Sequence, residues 1–170
     1  MMRDKVWEVP MSMNSSALVA TRGTQGPWFL YPVTVFPQHT DYGGVVWHGS
    51  YIGWMEAARV ECFREAAGMD FGAFVQAGID LPVVEMALRY HRGARLGDRL
   101  VVMTRLLPLS KVPERLRLVW EYEIRHAEYL CVSGQVTLVP VDLARGKVAR
   151  RLPHDLEGVI ARLRSSAGVL

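Results

Sequence analysis

The stretch His39-Thr40-Asp41-Tyr42-Gly43-Gly44-Val45-Val46-Trp47-His48-Gly49-Ser50-Tyr51 decides how the rest of this chain is read. One carboxylate is followed by a glycine pair, an apolar run, a histidine, and then the longest helical pattern in the sequence. The glycines allow positive φ or close approach of the backbone to a ligand. A helix opening near His48–Ser50 presents unpaired backbone N–H groups and the positive end of the helix dipole. An acid held a few residues before such an end can work on a substrate whose developing negative oxygen those N–H groups stabilise. The layout suits acyl transfer.

Outward from this stretch the pattern is one long helix and a series of strands. From about Ser50 to Ala67, the residues Tyr51, Trp54, Met55, Ala58, Cys62 and Ala66 recur at three- and four-residue steps. Glu56, Arg59, Glu61, Arg64 and Glu65 mostly face elsewhere, and Glu56 and Arg59 are spaced for a pair. Gly68 is placed as a stop, and Asp70 to Gln76 reads as a second helix capped by Asp70 and closed at Gly78. Upstream, Tyr31 to Phe36 alternates as a first strand. Downstream, strands are expected over Leu81 to Tyr90, Leu100 to Leu107, Arg115 to Arg125 and Tyr129 to Val141. In the third of these, Leu116, Leu118, Trp120, Tyr122 and Ile124 share one face, and only Val119 breaks the polarity of the other. Asp142 to Lys147 reads as a turn and Asp155 to Arg164 as a short amphipathic helix. A helix packed on one face of an antiparallel sheet, an α+β fold, satisfies this order.

Composition bounds the rest. At 170 residues, 50% hydrophobic and 22% charged, the chain is sized for one globular domain with a real core. Its longest apolar runs fall short of a bilayer span. Residues 1–28 are polar and rich in Ser, Thr and Gly, and read as a flexible N-terminal leader or, alternatively, a partner-binding arm; residues 29–170 form the single domain. The apolar patch Ala17-Leu18-Val19-Ala20 is too short for a signal-peptide core. Cys62 and Cys131 lack neighbours at zinc spacing and read as buried thiols of a reducing cytoplasm. The net charge of +3 is carried almost wholly by arginine, which suits phosphate binding but is too diffuse to argue for nucleic acid.

The motif Asp41-x-x-Gly44-Val45-Val46-Trp47-His48-x-x-Tyr51, followed by Trp54-x-Glu56-x-x-Arg59, resembles the signature of the 4-hydroxybenzoyl-CoA thioesterase-like hotdog proteins. These include the bacterial acyl-CoA thioesterases associated with the Tol–Pal system. The resemblance continues through Tyr90-x-x-x-Ala94-Arg95-x-Gly97-Asp98, spans roughly residues 30 to 142, and fades along the later strands. It implies a hotdog fold, in which a curved antiparallel sheet wraps a long central helix. It also implies hydrolysis of an acyl-CoA thioester, with no metal and no cofactor, coenzyme A being part of the substrate. The family site lies between two subunits, so a homodimer or homotetramer is expected.

For Asp41 the resemblance implies a nucleophile on the thioester carbonyl or a general base for water; the bland alternative is an Asx-turn acid. At His48 the family uses the backbone N–H to polarise the carbonyl, so the role can belong to the main chain rather than to the imidazole. His39 reads as a local loop contact. Gly44, Val46, Trp47, Gly49 and Tyr51 are candidate substrate-binding positions, with a purely core role open for Tyr51. Arg92 and Arg95, in the cluster Arg89, Arg92, Arg95 and Arg99, are candidates for the phosphates of coenzyme A; a solvated loop paired with Asp98 is the alternative. Two competing functions remain: a non-catalytic acyl-CoA-binding hotdog protein, and a hotdog hydratase or dehydratase, whose acid and histidine are spaced differently.

Overall fold

The computed structural model describes residues 17–19, 28–68, 70, 72–109 and 116–165. Along the chain come β1 (Ala17–Val19), β2 (Trp28–Thr34), α1 (His48–Ala67), α2 (Gly72–Gln76), β3 (Ile79–Asp80) and β4 (Val83–Tyr90). Then follow β5 (Arg99–Leu106), β6 (Leu118–Arg125), β7 (Leu130–Leu138), β8 (Val141–Asp142), β9 (Lys147–Val148) and α3 (His154–Ser165). The main sheet has six strands in the order β1-β2-β5-β6-β7-β4, all antiparallel; β3, β8 and β9 form a small second sheet.

Alternation builds the main layer. On β6, Leu118, Trp120, Tyr122 and Ile124 are buried while Val119, Glu121, Glu123 and Arg125 are only partly covered. Register places Thr104 of β5 opposite Tyr122, and Gly134 of β7 opposite both Tyr122 and Leu88 of β4. The inner face therefore carries Phe29, Leu100, Val102, Trp120, Tyr122, Val132 and Val136 in one cluster with Tyr51, Trp54, Met55, Ala58, Cys62 and Phe63 of α1. Each large side chain taken out of water in this way contributes roughly 1.5–3 kcal/mol, which is why the helix lies along the sheet. α3 packs on α1 and on β5 with Leu156, Val159, Ile160 and Leu163 buried. A long helix on a strongly paired antiparallel sheet is the hotdog arrangement.

β2 starts at Trp28 rather than at the expected Tyr31, while α1 starts at His48, inside the expected His48–Ser50 opening, with Trp47 as the N-cap and the Ser50 hydroxyl bonded to the His39 carbonyl. Gly68 ends α1 in the left-handed conformation at φ 60°, as its position implies. Asp70 accepts the Gly72 N–H, and Gly78 has φ 76°. Of residues 1–28, expected as a leader, the structure describes Ala17–Val19, paired with Trp28–Leu30, and Trp28 itself, buried in β2; the remainder lies outside the described residues. No described helix is long and apolar enough to cross a membrane.

Arg59 departs most from the sequence reading. The helical spacing sets it among the residues facing away from the core, yet it is 2% exposed. Its aliphatic stem packs inside while its guanidinium pairs with Glu56 and donates to the Tyr122 hydroxyl at 3.3 Å. Cys62 and Cys131 are both buried free thiols. Desolvation pushes the Cys62 thiol up to about 12 and the Cys131 thiol up to about 11, so neither is a thiolate at neutral pH.

Gly134 has the tightest strand environment. A Cβ there would lie 2.4 Å from the Ala87 carbonyl oxygen and 2.5 Å from Leu88 Cδ2, so it would push on the backbone of β4, which among the described residues pairs only with β7. Gly134→Ala is expected to destabilise the fold by about 1–3 kcal/mol, read in chemical denaturation, and to speed amide exchange in Val83–Tyr90 above that of β5.

Candidate active site

The site begins where β2 ends. Val35 donates to the Asp98 carbonyl at 2.9 Å and Gly97 donates back to Val35 at 3.0 Å, fixing the strand end against the loop that precedes β5. A short 3-10 turn, Pro37–His39, follows, and His39 Nδ1 accepts the Phe36 N–H at 3.0 Å. The chain then reverses on itself. Asp41 N–H donates to the Val45 carbonyl at 2.9 Å, Thr40 bridges Val46, and Trp47 N–H donates to the His39 carbonyl at 2.9 Å. Gly44 closes the hairpin at φ 69°, a conformation that favours glycine.

A second strip of backbone holds the hairpin from its other side. Val46 N–H donates to the Ala94 carbonyl at 2.9 Å, Leu96 N–H to the Gly44 carbonyl at 3.2 Å, and Val45 bridges Arg95. Gly93 allows this approach, since a Cβ there would sit 2.8 Å from Val45 Cγ1. Tyr51, buried one turn into α1, accepts the Ala94 N–H on its hydroxyl at 2.9 Å. Burial raises the pKa of that phenol, so it stays neutral. Residues far apart in sequence thus converge on the start of α1.

Asp41 is exposed and half committed. Its Oδ1 accepts from the Gly43 N–H at 2.8 Å and from the Val45 N–H at 3.2 Å, an Asx turn that stiffens the hairpin. Its Oδ2 receives no protein hydrogen bond among the described residues. At the helix start the N–H groups of His48 and Gly49 precede the first intrahelical bonds, and no described residue accepts from them. The His48 imidazole is exposed and lies against the Trp47 indole, ring centroids 4.9 Å apart. Trp47 is 54% exposed and its ring covers Gly49 so closely that a Cβ there would fall 2.1 Å from Cζ3.

The remaining expected residues divide. Val46 is buried at 5% and Tyr51 at 2%, so both back the site rather than face solvent. Gly44, Gly49 and Trp47 lie on the hairpin and helix start themselves. Arg92 is exposed, and its guanidinium rests 4.1 Å above the ring of Tyr129, whose hydroxyl bonds Asp98 at 3.2 Å. Arg95 is exposed, and its main-chain N–H bonds Asp98 at 2.8 Å. Sequence reasoning passed over Tyr90, whose hydroxyl donates to the His48 carbonyl at 3.3 Å. Its signal was an aromatic residue at the end of a strand, directly before the joint. Among the described residues, no group of three or more His, Cys, Asp or Glu side chains could hold a metal ion.

The description of a thioesterase-like superfamily matches residues 35–159 of the chain. A Synechocystis protein provisionally named an esterase, sll0410, is 49% identical over 139 residues, covering 81% of each chain. The acyl-CoA thioester hydrolase YbgC of Escherichia coli is 32% identical over 129 residues, covering 75% of this chain and 92% of that one. Among solved structures, a 1,4-dihydroxy-2-naphthoyl-CoA thioesterase from Synechocystis superposes with a TM-score of 0.68 at 26% identity, over 79% of this chain and 96% of that one.

The Asx turn separates two substitutions at one position. Asp41→Asn keeps an oxygen that can accept from Gly43 and Val45, and is expected to melt with the wild type. Asp41→Ala removes both bonds and is expected to cost about 1 kcal/mol in denaturant unfolding.

Proposed function

The chain belongs to the thioesterase-like superfamily, and from that footing we propose that it hydrolyses acyl-CoA thioesters to a free acid and coenzyme A. The observation that carries this is the pairing of Asp41, one carboxylate oxygen uncommitted, with the unbonded His48 and Gly49 N–H groups of α1 across a hairpin pinned on both sides.

The thioester carbonyl oxygen sits before those two N–H groups, where the helix dipole and two aligned donors stabilise the charge that develops on it. Asp41 then acts in one of two ways. As a nucleophile, its Oδ2 bonds to the carbonyl carbon, the C–S bond breaks, and water hydrolyses the resulting anhydride. As a general base, it takes a proton from the attacking water while the C–S bond breaks and the sulfur leaves as coenzyme A thiolate. Either route needs an ionised carboxylate and neither needs a metal or an organic cofactor.

Trp47 over Gly49 gives the acyl group a flat apolar wall, with Gly44 at the hairpin turn and Val46 and Tyr51 backing it. Arg92 and Arg95 are exposed on the adjoining loop, where guanidinium groups suit the diphosphate and ribose phosphate of coenzyme A. The enzyme works in the cytoplasm as a homodimer or a homotetramer. Support for assembly comes from β4, the last strand of the sheet, on which Val83 (43%), Val84 (50%), Met86 (39%) and Tyr90 (48%) are exposed in the isolated chain. An apolar, unpaired edge of this kind is what a two-fold partner covers.

One observation favours a competing reading. The Asx turn accounts for Asp41 without chemistry, so a non-catalytic acyl-CoA-binding protein would also keep it. Thiol release from a panel of aryl, short and long acyl-CoA esters decides. Asp41→Asn is expected to fold normally and to lose turnover by roughly 10²–10⁴. Near wild-type kcat in that variant would remove Asp41 from the mechanism, and no thiol release from wild-type protein would leave the binding reading. Light scattering at assay concentration is expected to show a dimer or tetramer; an active monomer would overturn the assembly.

A further inference from the structure

The hydroxyl of Tyr90 reaches the carbonyl oxygen of His48 at 3.3 Å. That carbonyl belongs to the same peptide unit as the Gly49 N–H, one of the two helix-start donors. A peptide group that accepts on its oxygen is polarised, and its N–H becomes a better donor, because hydrogen bonds in a chain polarise one another. Tyr90 is also well placed to hold this peptide still. Its ring stands edge-on to Tyr51 with centroids 5.8 Å apart, and Tyr51 is in turn tied to Ala94 through its hydroxyl. Tyr90 is 48% exposed and ends β4, the edge strand.

From this geometry we infer that Tyr90 is a positioning residue for the hydrolysis proposed above: its hydroxyl polarises and orients the His48–Gly49 peptide so that the Gly49 N–H can stabilise the thioester oxyanion. The inference rests on that reading of the site and adds a residue to it. The residue acts through the backbone and touches no substrate atom. It links two parts of the molecule, since the strand that carries Tyr90 is the one a second subunit would cover. Removing an oxyanion donor outright costs a hundredfold or more, whereas weakening one by a single cooperative bond costs far less.

Tyr90→Phe tests this, because it keeps the ring against Tyr51 and removes only the hydroxyl. In the full-length protein kcat is expected to fall roughly three- to tenfold with KM within about twofold. Melting temperature and oligomeric state should match the wild type. In 15N-labelled protein the Gly49 amide nitrogen should move upfield, the phenyl ring leaving ring-current effects in place. Unchanged kcat in an enzyme that Asp41→Asn inactivates would overturn the role of Tyr90 alone. An unmoved Gly49 resonance, or a fall in melting temperature with KM and kcat changing together, would mark a packing role and overturn it too. No thiol release by the wild type from any acyl-CoA would overturn the hydrolase reading and this inference with it.

Discussion

The pairing of His39–Asp41 with Val45–Trp47 is the constraint on which the site depends. A strand has to hand over to a helix without leaving buried backbone groups unbonded, yet the helix has to start with N–H groups open. The hairpin meets both demands. It satisfies the N–H groups of Asp41 and Trp47 through its own ladder and that of Val46 through Ala94, and stops one residue before His48. The point where this ladder ends is where the open amides of α1 begin. The Asx bonds of Asp41 belong to the same device, so the acid of the proposed site also stiffens the turn that presents it.

The interior beneath α1 is closed. Tyr51, Phe63, Trp120 and Tyr122 are all 2% exposed or less, and Arg59 sits among them with its charge balanced by Glu56. Taking a guanidinium out of water is costly, and one bond to Tyr122 with one ion pair offsets only part of the cost. Among the described residues, Arg59 Nε and Trp120 Nε1 find no protein partner, so this layer carries a desolvation burden amid otherwise apolar packing.

Much of this was legible in the residues. The period of two in Leu118–Ile124 and the glycines at positions 44, 68 and 78 carry their meaning locally, through side-chain alternation and positive φ, and they stand where the pattern put them. The opening of α1 at His48 falls within the window His48–Ser50 that the pattern marks, whereas the use of the Ser50 hydroxyl by the His39 carbonyl, from another element, has no local signal. Arg59 could not be recognised as buried, since a charged residue at helical spacing gives no sign of a tyrosine waiting sixty-three positions later. The Asx turn of Asp41 was visible as a possibility in Asp-Tyr-Gly-Gly, but its two bonds required the hairpin to be closed. Tyr90 stands in a motif that gives it no role, because its partner is a main-chain carbonyl, which no sequence displays.

The exposure of Trp47 gives the protein an optical handle on its own chemistry. Of the four described tryptophans, Trp28 and Trp54 are 8% exposed and Trp120 is fully buried, while Trp47 is 54% exposed and sits over Gly49 at the helix start. Indole emission from the three buried rings responds to the integrity of the core and is shielded from dissolved quenchers. Emission from Trp47 senses water beside the Asp41 hairpin and is shielded whenever another molecule lies there. Among the described residues, one indole thus reports on the helix start and three on the folded core, and the two groups differ in their access to quencher.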